Sequence, residues 1–162
     1  MFKKILLFLL AALIIIQFFR PAKNKAEGVQ PNAIASRFAT PDDVQTILKK
    51  ACYDCHSNNT TYPWYASVQP VLWWLDDHIK GGKKHLNFDE YANRSLRSQY
   101  NKMDETIDMI KKGEMPLDSY TWIHKEAKLT DEEKNKVISW ATSIMDTMKA
   151  TYPIDSLIKK KN

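Results

Sequence analysis

The sequence predicts an all-α fold, and three observations carry that prediction. Apolar residues recur three and four positions apart in several separate segments, capping residues and glycine bound those segments, and no alternating run of useful strand length occurs. The 162 residues are 44% hydrophobic and 27% charged, which fits one globular domain and excludes disordered and collagen-like chains. Net charge is +5, but Lys3, Lys4, Arg20, Lys23 and Lys25 all precede the first acidic residue, Glu27, and the remainder carries equal numbers of basic and acidic side chains. A neutral body argues against a nucleic-acid partner, because phosphate backbones are bound by clustered cations. Two cysteines are too few for a disulfide scaffold.

Taken in order, Met1-Phe2-Lys3-Lys4 leads into an apolar run from Ile5 to Phe19, broken only by Gln17 and followed by Arg20-Pro21. Residues 1–20 therefore read as an export element that forms an N-terminal membrane anchor helix. The run reaches roughly 22 Å against a hydrocarbon core of about 30 Å, a deficit that Phe2 and snorkelling Lys and Arg reduce. No small-residue cleavage site follows the run and no cysteine adjoins it for lipidation, which favours an uncleaved anchor. Residues 21–39 are polar, include Asn24, Pro31 and Asn32, lack an apolar period and read as a flexible linker.

Thr40-Pro41-Asp42-Asp43 predicts a helix start, with Thr40 as N-cap, Pro41 at the first helical position and Asp43 closing a capping box. Val44, Ile47, Leu48 and Ala51 give that helix its apolar stripe. Val71 to Ile79 predicts a shorter helix stopped by Gly81-Gly82, and Leu96, Tyr100, Met103, Ile107 and Ile110 predict a longer one closed by Gly113. A capping box at Thr130 and Glu133 opens a last helix through Val137, Ala141, Ile144 and Met148. Residues 40–150 thus form one helical domain, and residues 151–162, ending in Lys159-Lys160-Lys161, read as a solvated basic tail.

The first stripe of this domain runs straight into Cys52-Tyr53-Asp54-Cys55-His56, the pattern for covalent attachment of one heme c. The Cys52 and Cys55 thiols can form thioether links to the two vinyl groups of one porphyrin while the His56 imidazole reaches the iron. A thioredoxin-like redox pair would need a βαβ setting, and structural zinc would need four ligands; neither matches. Heme attachment of this kind takes place outside the cytoplasm, in keeping with the export element, and requires heme-maturation machinery as a partner.

That motif, continued by Ser57-Asn58-Asn59-Thr60, then Tyr62-Pro63-Trp64-Tyr65, Trp73-Trp74-Leu75, His78-Ile79, Leu86-Asn87-Phe88 and Met115-Pro116-Leu117, resembles the bacterial haem-binding domain proteins. These are small exported relatives of cytochrome c, and the resemblance covers roughly residues 40 to 145. It implies a cytochrome c-like helical domain around one covalent heme, without naming a reaction.

What sits opposite His56 separates a carrier from a catalyst. Met115, just past the Gly113 stop and held extended by Pro116, is the leading sixth ligand; His124 and His78 are its replacements. His85 is expected to be exposed, Tyr53 and Asp54 to lie at the surface, and Trp64, Trp73, Trp74 and Trp122 to pack apolar surface or line the heme. The expected function is a membrane-anchored monoheme c-type cytochrome, without catalytic residues, carrying single electrons between transient respiratory partners on the periplasmic side of a bacterial cytoplasmic membrane. The alternative is a heme enzyme of peroxidase type or a small-ligand sensor, its sixth site open or labile.

Overall fold

The apolar stripes of the sequence become buried helix faces in the computed structural model, which describes residues 1–159. The helices are α1 (Phe2–Ile16), α2 (Asp42–Ala51), α3 (Tyr53–His56), α4 (Val71–His85), α5 (Leu96–Lys112), α6 (Asp118–Thr121), α7 (Asp131–Thr151) and α8 (Ile154–Leu157). Among the described residues there is no strand, only an isolated antiparallel bridge between Lys25 and Asn59.

α5 and α7 pack along each other and α2 lies against α7, so that Met103, Ile107, Val137, Ala141, Ile144, Met148, Ile47 and Leu48 share one core. Complete burial of a side chain of this size stabilises the fold by about 1.5–3 kcal/mol. A second, smaller cluster joins Leu72, Leu75 and Ile79 of α4 to Ala66. The caps of two helices follow the predicted chemistry. Gly113 closes α5 at φ 71°, the left-handed region that suits glycine. Thr130 Oγ1 accepts from the Glu133 amide at 3.2 Å while Glu133 Oε2 accepts from the Thr130 amide at 2.9 Å.

Four expectations meet a different outcome. α2 begins one residue later than predicted: Pro41 is the extended N-cap, Thr40 Oγ1 donates to the Phe38 carbonyl, and Asp43 accepts from its own neighbour's amide, Val44. α4 runs through Gly81-Gly82, because a Cβ on Gly82 would stand 2.6 Å from the Cys55 carbonyl oxygen; the glycine admits α3 rather than stopping α4. The stretch 21–39 is docked rather than free. Ile34 and Phe38 enter the main core and Asn24 and Ala26 hydrogen-bond alongside Ser57–Thr60. The segment after α7 also packs: Leu157 is fully buried, and Arg97 donates to the Asp155 carbonyl at 2.8 Å. Lys159 is exposed, whereas Lys160 and Lys161 lie outside the described residues.

The N-terminal expectation is met in part. α1 forms where the apolar run predicts it, with none of its residues buried, but its 15 residues rise only about 22 Å. Among the described residues no helix is long and apolar enough to cross a membrane.

Two outcomes test this packing. Ile34→Ala, at 1% exposure, should cost about 2–5 kcal/mol in urea unfolding, where a true linker residue would cost nothing. Lys50 stands 2.5 Å from Glu133 and, by its hydrogen bond, holds the Glu133 carboxyl below its ordinary range; the Thr130 amide adds to this. A depressed carboxylate contributes stability above its unfolded pKa and loses it as pH falls through the folded value. Glu133→Gln should therefore cost about 1 kcal/mol at neutral pH and progressively less in acid, read from pH-dependent unfolding.

Candidate heme-attachment site

α2 ends at Cys52, whose carbonyl accepts from the amides of Cys55 at 3.2 Å and His56 at 2.9 Å. This single turn, α3, brings Cys52, Cys55 and His56 onto one short element wedged against α2 and α4. Cys52 packs against the main core and Cys55 against the smaller cluster, so the two thiols lie where the two apolar regions meet. Both are free and half-buried. Burial pushes the Cys52 thiol up to about 12, with the neighbouring Cys55 adding to the rise. It pushes Cys55 up to about 11, with Asp54 adding. Thiol-exchange cysteines need lowered values, and the shift at both of these thiols runs the other way. Nor do the described residues include a cluster of three or more His, Cys, Asp or Glu able to hold a metal ion.

His56 Nδ1 lies 2.8 Å from the Leu86 carbonyl. A proton on Nδ1 donates to that oxygen and leaves the Nε2 lone pair available, the arrangement by which an imidazole is oriented as a ligand. Burial lowers the His56 pKa, with the Leu86 and Gly82 carbonyls acting in the opposite direction. The ring is therefore held neutral, as iron ligation requires. Protonated thiols on one turn beside an oriented, neutral imidazole match the donor set for a heme.

The residues inside the motif do more than the sequence suggested. Tyr53 packs on Phe88 with ring centroids 5.5 Å apart, and burial pushes its hydroxyl up to about 12. Asp54 accepts from the Thr61 amide and the Tyr120 hydroxyl, both at 2.8 Å, while its carbonyl accepts from Thr60 Oγ1 at 2.6 Å. Both are half-buried rather than fully exposed. Burial, then the Asp54 hydrogen bond, raises the Tyr120 pKa, so this phenol stays a donor.

Tyr120 in turn stacks on His124, centroids 4.4 Å apart and planes 19° from parallel. His124 Nε2 is 2.7 Å from the Tyr65 hydroxyl and its Nδ1 is 3.2 Å from Glu126. Nδ1–H thus donates to Glu126 while Nε2 accepts from Tyr65, engaging both nitrogens. His78 Nδ1 lies 2.8 Å from the Trp74 carbonyl of its own helix, with its Nε2 in no such bond, and His85 is exposed. Met115 is half-buried in the strap between α5 and α6, ahead of a cis Met115–Pro116 peptide. That strap leads to Tyr120 and so is pinned to Asp54, two residues before His56. Sequence spacing alone could have suggested Tyr120 and His124 as an i,i+4 pair; Tyr65 carried no signal beyond its position in the motif string, and Gly82 read as a helix stop.

A small all-helical domain with one CxxCH turn is the build of a cytochrome c-like heme-binding protein. The family model described as "Haem-binding domain" matches residues 11–143, and the chain belongs to that family. It is also similar to the cytochrome c peroxidase Ccp of Escherichia coli (strain K12), 24% identical over 124 residues. That match covers 73% of this chain and 25% of the relative's length. No solved structure matches.

Gly82→Ala forces its new methyl onto the Cys55 carbonyl, so it should cost about 1–3 kcal/mol by overpacking. Denaturant unfolding measures that cost, and heme stain per milligram of purified protein should fall with it.

Proposed function

We propose that this protein is a membrane-anchored monoheme c-type cytochrome that carries single electrons between transient partners outside the bacterial cytoplasmic membrane. The observation that carries the reading is the single turn bearing Cys52, Cys55 and His56, with the Leu86 carbonyl orienting His56 through Nδ1. Cys52 and Cys55 would hold heme c through two thioethers and His56 would ligate the iron. The bound heme supplies one-electron exchange between ferric and ferrous iron. The chain's own part is to keep that site rigid. Gly82 lets α4 press on the motif turn, Leu86 fixes the imidazole plane, and Phe88 packs beside His56 with centroids 6.4 Å apart. Such rigidity limits rearrangement when the iron changes charge.

Met115 is the proposed sixth ligand, since it sits on a strap pinned to the motif by Tyr120 and a thioether favours a raised potential. Of the two substitutes, His124 already engages both ring nitrogens, whereas His78 bonds the Trp74 carbonyl through Nδ1. The apolar α1 supports the anchor, the anchor and the covalent heme support a periplasmic location, and redox proteins together with heme-maturation machinery are the partners proposed.

A second reading is peroxidase-type catalysis, favoured by the Tyr65–His124–Glu126 chain and by the name of the relative. There the Tyr65 hydroxyl would take a proton from substrate as it passes its own to His124 Nε2, while Glu126 steadies the ring.

The double variant Cys52→Ser/Cys55→Ser should lose heme that survives denaturing electrophoresis. Met115→Ala should abolish the iron–thioether charge-transfer band in ferric magnetic circular dichroism while the fold persists by far-ultraviolet circular dichroism. A band unchanged in Met115→Ala rejects Met115. Peroxide turnover that falls on both Tyr65→Phe and His124→Ala would favour the catalytic reading over the carrier.

A further inference from the structure

Beyond Lys3 and Lys4, α1 is apolar on every side and buries nothing, yet its C-terminal end is far from free. Gln17 Nε2 donates to the Gln69 carbonyl at 3.2 Å and Gln17 Oε1 accepts from the Gln69 amide at 3.0 Å. The Phe19 carbonyl accepts from Gln69 Nε2 at 2.8 Å and from the Trp73 indole at 2.7 Å, and Arg20 donates to the Ser67 carbonyl at 2.8 Å. The Gln69 side chain that makes this joint is 1% exposed. A swinging tether would leave these groups to water; here they clamp the helix end onto the N-terminus of α4.

The same place concentrates exposed apolar surface. Phe18 and Phe19 are 82% and 63% exposed, Val68 48% and Trp73 39%, although the indole N–H of Trp73 is already satisfied. A partly exposed tryptophan with its N–H bonded, next to the apolar end of α1, suits the headgroup boundary of a bilayer. Arg20 and Lys23 follow, the charge that anionic headgroups attract. The geometry also answers the length deficit of α1: the clamped domain adds apolar surface beside the end of a helix that reaches only about 22 Å.

We propose that Phe18, Phe19, Val68 and Trp73 form a seat that rests in the lipid headgroup–acyl boundary, so the heme domain is held on the membrane in one orientation. This rests on the reading of α1 as an anchor. The seat restricts which side of the domain an electron-transfer partner can approach.

The test uses full-length, heme-loaded, reduced protein in vesicles of phosphatidylethanolamine and phosphatidylglycerol. Nitroxide labels are placed singly at Phe18→Cys, Val68→Cys and, on exposed α7, Ser139→Cys. Oxygen, enriched in lipid, and a nickel chelate, confined to water, then compete to relax each label. The seat predicts a high oxygen-to-nickel ratio at both 18 and 68 and a low one at 139. In a Gln17→Ala background the ratio at 68 should fall towards that at 139 while 18 stays high, with the heme spectrum unchanged. A water-accessible label at 18 overturns the anchor itself. A lipid-protected 18 with a nickel-accessible 68 overturns the seat alone and leaves that face to a protein partner. An unchanged 68 after Gln17→Ala overturns the clamp.

Discussion

A helix of one turn does not hold its own geometry, because fixing its backbone costs more than its few hydrogen bonds return. α3 is such a turn, and everything chemical about the domain hangs on it. Its neighbours supply the restraint it lacks. Gly82 presses on its backbone, the Leu86 carbonyl accepts from His56 Nδ1–H, and the Asp89 carboxylate accepts from the Asn58 amide at 2.7 Å just beyond it. Residues 24–26 run beside the loop that leaves it, and Tyr120 grips Asp54 in its middle.

That dependence accounts for features that would otherwise be destabilising. Two glycines inside α4 weaken it by about 1 kcal/mol each relative to alanine, and close packing of Gly82 on Cys55 offsets the loss. Buried polar side chains also gather round the motif instead of hydrocarbon. Ser57 bonds with Asn59, Thr60 bonds to the Asp54 carbonyl, and Asn87 donates to Asn58 at 2.8 Å. A satisfied polar network of this kind fixes one arrangement more strictly than an apolar core, which tolerates repacking. Two thiols and an imidazole that must meet one planar group need that strictness.

Several contributors were invisible along the chain for a common reason. Ile34 and Phe38 are isolated apolar residues in a polar stretch, so 21–39 shows no period, yet each enters the core singly. Gly81-Gly82 resembles a stop because a stop and a close approach use the same residue; only the position of Cys55 tells them apart. Asp54 looks solvent-facing by type, but its carboxylate is matched by a tyrosine 66 residues away. Thr40 lost the cap because Pro41, extended at ψ 148°, occupies that place itself.

Helices α1, α2, α4, α5 and α7, the Gly113 and Thr130–Glu133 caps and the Cys52–Cys55–His56 motif were determined by the sequence alone. Each is a local pattern, written within one or two turns, and local patterns survive without knowledge of the fold. Tertiary structure decided which carbonyl orients His56, which phenol holds Asp54, and that the apolar first helix is clamped at Gln69 rather than loosely tied. Those are hydrogen bonds between residues 30, 66 and 52 positions apart. They leave no periodic trace, because their partners are chosen by packing and not by spacing.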